Sequence, residues 1–208
     1  MSRRRVTILD YGAGNLRSVA KAFEHEGADA RLTASPAEAA DAELLVLPGQ
    51  GHFGQCVARL EESGLADAVR EHVRAGQPFL GICVGMQLLY DGSEEAPGVR
   101  GLGLLPGTVR RIRTELPLPH VGWNAVEFVR AAEADPLLEG VAGPDPRWFY
   151  HVHSYAVLES DGEHVLGRCT YDDAFASIVG RGTVWGIQFH PEKSQEDGLR
   201  ILRNFTQM

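Results

Sequence analysis

The sequence predicts a mixed α/β protein: a mostly parallel sheet flanked by helices in its first half, with additional antiparallel strands in its second. Three observations predict it. Short apolar runs alternate with helix-period segments over residues 6–83. From residue 108 to 189, strand-like runs follow one another with only Gly, Pro and Asp turns between them. No repeat, low-complexity tract or composition shift cuts a linker, so the 208 residues read as one domain, 1–208. Strands separated by helices require crossover connections, which produce a parallel sheet covered on both faces.

Val6-Thr7-Ile8-Leu9 reads as a buried strand, stopped by Asp10-Tyr11-Gly12-Ala13-Gly14. From Asn15, apolar Leu16, Val19, Ala20 and Phe23 mark one helix face, and Gly27 closes that helix. A second strand is expected over 28–32 and a third over 44–47, ended abruptly by Pro48-Gly49-Gln50-Gly51. One helix is expected over 54–74, with Ser63-Gly64 weakening its middle. A fourth strand, 78–82, runs into Cys83. Further strands are expected over 108–112, 125–129, 148–152, 164–170, 174–179 and 184–189, the last two joined by a hairpin at Arg181-Gly182. A final helix covers 195–205.

Composition excludes several functions. With 20 Lys+Arg against 28 Asp+Glu, the net charge of −8 argues against broad nucleic-acid or anionic-membrane binding. The apolar run after the leading arginines stops at Asp10, too short for a signal peptide or a membrane span. Cys56, Cys83 and Cys169 have no paired spacing, so neither a disulfide framework nor a cysteine zinc site is expected. The expectation is a soluble protein of a reducing compartment, the cytoplasm.

The sharpest local feature is Gly81-Ile82-Cys83-Val84-Gly85, followed by Met86-Gln87-Leu88-Leu89. A glycine two residues to either side of a nucleophile, between a strand and a helix, is the elbow arrangement with sulfur in place of a serine oxygen. Side chains at those two positions would clash where strand and helix pack. A helix N-terminus behind Cys83 favours its thiolate, and the Val84 amide would face an oxyanion forming on a substrate carbonyl. The competing reading is a buried structural cysteine.

A thiolate nucleophile needs a base and a group that orients the base. Among eight histidines, His25, His52, His72 and His164 stand in polar or helical surroundings and are expected to face solvent. His190 ends the run Trp185-Gly186-Ile187-Gln188-Phe189, and Glu192 follows two residues later. Cys83, His190 and Glu192 thus compose a nucleophile, a proton carrier and an orienting carboxylate. Both motifs fall at the carboxyl ends of strands, where open parallel sheets form their sites.

These motifs resemble the triad (class I) glutamine amidotransferases, which have a flavodoxin-like fold. Asp10-Tyr11-Gly12-Ala13-Gly14-Asn15-Leu16, His120-Val121-Gly122-Trp123-Asn124, His151-Val152-His153-Ser154-Tyr155 and Gln188-Phe189-His190-Pro191-Glu192-Lys193-Ser194 resemble, within that family, the glutaminase subunits of imidazole glycerol phosphate synthases in histidine biosynthesis. The resemblance implies that Cys83 forms a γ-glutamyl thioester with L-glutamine and that ammonia leaves by way of His190. It implies that Gly49, Gly51 and Val84 surround the oxyanion, although Gln50 stands where many members carry an apolar residue. It implies that Gln87, Ser154 and Tyr155 contact substrate. It further implies a partner, a (β/α)₈-barrel cyclase that consumes the ammonia, with Asn15, Trp123, His151 and Lys193 on the partner side. The alternative is a stand-alone γ-glutamyl hydrolase of the same superfamily; a third reading is a scaffold or sensor that keeps only the fold.

No cofactor is expected. Gly12-Ala13-Gly14-Asn15 lacks the third glycine of a dinucleotide loop, which would fall at Arg17. His151 and His153 share one strand face, but no third ligand is spaced for a metal. Trp123 and Trp148 read as core or rim aromatics, Arg110, Arg111 and Arg113 as a solvated strand face, and Cys56 and Cys169 as inert packed thiols.

Overall fold

The computed structural model describes residues 3–158 and 162–208, with backbone alone at 130 and 131. The first half runs β1 (Arg5–Leu9), α1 (Leu16–His25), β2 (Asp29–Thr33), α2 (Pro36–Ala40), β3 (Leu45–Gly49), α3 (Phe53–Glu62), α4 (Leu65–Arg74) and β4 (Phe79–Cys83). A single helical turn, α5 (Val84–Gln87), follows β4 directly. The second half runs β5 (Gly92–Ser93), β6 (Thr108–Arg111), β7 (His120–Phe128), β8 (Arg147–His153), β9 (Tyr155–Ala156), β10 (Val165–Tyr171), β11 (Asp173–Arg181), β12 (Val184–Ile187) and α6 (Gln195–Phe205).

Among the described residues, these strands form a nine-stranded sheet in the order β2-β1-β3-β4-β12-β11-β10-β7-β8 and a three-stranded sheet β5-β6-β9. The architecture is the mixed α/β one that the sequence predicts. Strands β2 to β4 pair in parallel, and β12 joins them in parallel at β4. From β12 outward every pairing in the large sheet is antiparallel. Every residue of β3, β4 and β12 is buried, as strands covered on both faces require. The β4–β12 register sets Ile82 beside Ile187, so both strands end at the same edge of the sheet. That seam carries residues more than a hundred positions apart to one place. No helix of the described residues is long and apolar enough to cross a membrane.

Several elements differ from the sequence reading. The single helix expected over 54–74 is two helices, because Gly64 adopts a left-handed conformation (φ +74) and caps the second. Helix α2 was absent from the sequence reading, although Ser35-Pro36-Ala37-Glu38 carries its signals: Ser35 accepts from the Glu38 N–H, and Pro36 opens the helix. Strand β7 begins at His120 rather than 125, drawn out by full-length pairing with β8 from His120↔His153 to Val126↔Arg147. The run 184–189 stops being strand at Ile187.

His72 does not face solvent: it is fully buried, and its Nε2–H donates to the Pro78 carbonyl at 2.9 Å. Burial lowers its pKa. His164 is half-buried against Tyr90, whose hydroxyl meets His164 Nε2 at 3.1 Å.

Candidate active site

Cys83 sits at the end of β4 with φ 57 and ψ −113, a backbone conformation that costs a non-glycine residue on the order of 1–3 kcal/mol. Packing enforces it. A Cβ on Gly81 would lie 2.6 Å from the Gly85 carbonyl oxygen, and a Cβ on Gly85 would collide with the Leu47 carbonyl oxygen. The two glycines therefore let α5 turn back onto β3 and β4, and the turn holds Cys83 up at the sheet edge. Gly49 lies directly beside Cys83 in the β3–β4 register, with no room for a side chain. Because α5 is one turn long, its dipole is small, but its first N–H groups, Val84 included, have no intrahelical acceptor.

His190 comes to the same edge by the other route. Its N–H donates to the Tyr150 carbonyl at 2.9 Å, and its carbonyl accepts from Ser194 Oγ at 2.7 Å. Ser194 Oγ in turn accepts from the Tyr150 N–H at 3.0 Å, so one hydroxyl ties the His190 turn to β8. The ring Nδ1 meets Glu192 Oε1 at 3.0 Å, and both side chains are almost wholly buried. The other ring nitrogen is left for Cys83, which lines the same cleft. Burial alone would lower the pKa of His190. The hydrogen bonds to Cys83 and Glu192 outweigh it and raise the imidazole to about 10. Glu192 Oε2 is buried with no partner among the described residues.

A cleft of about 450 Å³ opens over the pair. Its wall includes Gln50, Gly51, Val84, Gln87, Ser154 and Tyr155 together with Cys83 and His190. Gly49 is placed beside the nucleophile by register. The Gln87 amide nitrogen is committed to protein, donating to the Tyr155 carbonyl at 2.9 Å and to Gln188 Oε1 at 3.1 Å. Its carbonyl oxygen is what remains for a ligand.

Gln188, Pro119, Glu95, Arg111, Val152 and His153 also stand at or beside the cleft, and the sequence does not single them out for the site. Gln188 Nε2 approaches Cys83 Sγ at 3.9 Å. Its place two residues before His190, in the same run, is its signal in the sequence. Pro119, Glu95 and Arg111 line the cleft from loops and a short strand, where no periodicity announces them.

The remaining sites divide. Lys193 Nζ lies 5.7 Å from the Tyr150 ring centre, and Tyr150 meets the Trp123 ring edge to face at 6.2 Å. Trp123 and Trp148 are both exposed, 42% and 58%, so neither is a core aromatic. With Val121 they form an apolar outer face on the β7–β8 pair. Asn15 opens α1, a helix that packs against the turn Pro191–Lys193.

His151 belongs to no surface. It is fully buried, its Nδ1 on the Phe149 carbonyl at 3.1 Å and its Nε2 on Ser177 Oγ at 3.0 Å, so a direct partner contact is ruled out. Its ring stacks on His120 at 5.2 Å, and His153 meets both. Burial drives His151 well below the usual histidine range and His153 down to about 3, so these rings are neutral at physiological pH. Cys56 and Cys169 are buried thiols; burial raises Cys169 to about 12.

The profile of the family "Glutamine amidotransferase class-I" matches residues 7–208. The "Imidazole glycerol phosphate synthase subunit HisH" of Desulfitobacterium hafniense is 45% identical over 200 residues, covering 96% of this chain and 92% of that one. The protein of the same name from Thermus thermophilus is 47% identical over 201 residues, covering 96% and 94%. A solved structure described as a glutamine amidotransferase superposes with a TM-score of 0.74 at 22% identity, covering 98% of this chain and 99% of that one, a likeness of fold.

Proposed function

This chain belongs to the class-I glutamine amidotransferase family, and on that premise we propose that it is the glutaminase subunit of an imidazole glycerol phosphate synthase, an enzyme of histidine biosynthesis. It hydrolyses L-glutamine to L-glutamate and ammonia as a single domain. The observation that carries this reading is the buried His190–Glu192 pair, 3.0 Å apart, sharing one cleft with a cysteine on a strained elbow.

With His190 holding the proton, the Cys83 sulfur attacks the side-chain amide carbon of glutamine. The tetrahedral oxyanion is held by the Val84 N–H and an amide of the Gly49–Gln50–Gly51 loop. The imidazolium then protonates the departing nitrogen, and ammonia leaves a γ-glutamyl thioester. Glu192 keeps the ring oriented and stabilises its charge in both directions. A water that gives its proton to His190 attacks the thioester, releasing glutamate and restoring the starting pair with the proton on the imidazole. Gln87, Ser154 and Tyr155 position the substrate. No cofactor takes part.

Ammonia passes to a (β/α)₈-barrel cyclase. Val121, Trp123 and Trp148 favour a partner over a stand-alone hydrolase, since three large apolar side chains exposed on one strand pair mark an interaction surface. Lys193 and Tyr150 adjoin that face, and Asn15 caps the helix packed against the Pro191–Lys193 turn. The protein acts in the cytoplasm.

The decisive experiment is Cys83→Ala assayed with the cyclase. Glutamine-dependent synthesis is expected to fall at least about 10³-fold, with ammonia-dependent synthesis unchanged. Surviving glutamine-dependent turnover would refute the assignment. Glutaminase activity that is high without the cyclase and indifferent to it would instead favour the stand-alone hydrolase.

A further inference from the structure

We infer that Tyr11 and Cys56 are positioning residues for the reaction: buried behind the Pro48–Gly51 loop, they hold two of its carbonyls inward and so keep its N–H groups turned to the cleft, an inference that rests on the glutaminase reading. Neither side chain lines the cleft, and the triad chemistry uses neither. Each has its single donor on the same short loop.

The Tyr11 hydroxyl donates to the Pro48 carbonyl at 2.9 Å, and the Cys56 thiol donates to the Gln50 carbonyl at 3.4 Å. Both donors are buried, with 5% and 1% of the residue exposed. Gln50 and Gly51, by contrast, are exposed and line the cleft. A planar trans peptide points its N–H opposite to its carbonyl, and the peptides of this loop are trans. With the Gln50 carbonyl drawn to Cys56, the Gly51 N–H therefore turns away from α3, to the side where Gly51 meets the cleft. Gly51 takes φ +95, which a side chain would resist, so the loop reaches this orientation only with glycine there.

The same hydroxyl ties the loop to the elbow. A Cβ on Gly49 would lie 2.9 Å from Tyr11 Oη, 2.9 Å from Val84 Cβ and 2.7 Å from the Gly85 nitrogen. Tyr11, the loop and the residues after Cys83 thus meet at one point. Helix α3 braces both donors, since Arg59, one turn beyond Cys56, donates to the Gly12 carbonyl next to Tyr11. Burial raises Tyr11 well above the usual phenol range and Cys56 above the usual thiol range, so both keep their protons and remain donors. Cys56 is therefore a hydrogen-bonding thiol rather than an inert one.

The test uses the chain assembled with its cyclase. In Tyr11→Phe and in Cys56→Ala, kcat for glutamine hydrolysis is expected to fall about 10-fold, part of what the loss of an oxyanion donor itself would cost, with KM within about twofold. Cys56→Ser keeps an O–H donor and should hold kcat within about threefold of wild type. Cys169→Ala, another buried thiol but remote from the loop, should leave kcat within about twofold. The folded fraction of each variant is read by circular dichroism at the assay temperature. Unchanged kcat in both Tyr11→Phe and Cys56→Ala overturns the inference, as does a Cys56→Ser variant impaired as much as Cys56→Ala. A kcat loss no greater than the loss of folded protein overturns it too. A wild-type assembly that hydrolyses no glutamine overturns the amidotransferase reading itself, a result separable from the others.

Discussion

The parallel and antiparallel halves of the sheet each deliver one part of the triad, and they do so by opposite means. The parallel half presents Cys83 from an apolar layer: β3 and β4 are buried throughout, and steric contact between glycines and backbone shapes the elbow. The antiparallel half buries polar groups instead. His120, His151, His153, Ser177 and Gln188 lie inside it, joined by hydrogen bonds and ring contacts. It holds His190 through Tyr150 and Ser194 rather than through close packing. The nucleophile is thus positioned by shape and its base by hydrogen bonds. Shape fails abruptly when a methyl is added, whereas a hydrogen-bonded network fails with protonation.

Adding a methyl tests the first half most severely. Gly85→Ala places a Cβ against the Leu47 carbonyl, and the protein is expected to lose about 3 kcal/mol or more of stability, or fail to fold. A denaturation midpoint matching wild type would show that the elbow is not sterically locked.

Next comes the orienting carboxylate. Glu192→Gln should lower kcat about 10²- to 10⁴-fold while leaving the fold intact. The wild-type imidazole keeps its proton to about pH 10, so the acid form needed to release ammonia disappears only above that pH. The alkaline limb of the rate profile should therefore stand near pH 10 and move downward in Glu192→Gln. A limb that does not move would place the orienting charge elsewhere.

The last test concerns the buried histidines. His151 and His153 are neutral when folded, and His153 stays so down to about pH 3. An unfolded histidine takes up its proton near pH 6.5. Below that pH the unfolded chain binds more protons, so stability falls with acidification, by roughly 1.4 kcal/mol per pH unit for each histidine. That loss should run from about pH 6.5 down towards 3 for His153. Amide exchange at pH 5 should show β7, β8 and β11 opening before β1 and β3. The reverse order would remove the distinction between the halves.

This difference also explains what could be read in advance. Gly81-Ile82-Cys83-Val84-Gly85 announces itself because the constraint on the elbow is local: the residues that clash are neighbours in the chain or one strand away. The alternation of β1, β3 and β4 with helices is likewise visible as periodicity. Helix α2 was readable from Ser35 and Glu38 but is only one turn past its cap. The break at Gly64 looked like a weak point within one helix, since a left-handed φ is not written in composition. His72 and His151 were misplaced because burial of a polar ring depends on which strand or loop covers it. Arg111 joins the cleft through the pairing of β6 with β9, and Glu95 follows β5, which pairs with β6, contacts with no sequence period.

The sequence by itself determined the nucleophile, the spacing of histidine and carboxylate, and the parallel character of the first half, all properties of short segments with a fixed period or a steric rule. Only the tertiary structure decided that β12 inserts beside β4, and with it that Cys83 and His190 share one edge. It also decided which polar side chains lie inside and which apolar ones remain outside. Those outcomes depend on long-range strand register, and register is set by the summed burial of the whole sheet rather than by any residue within it.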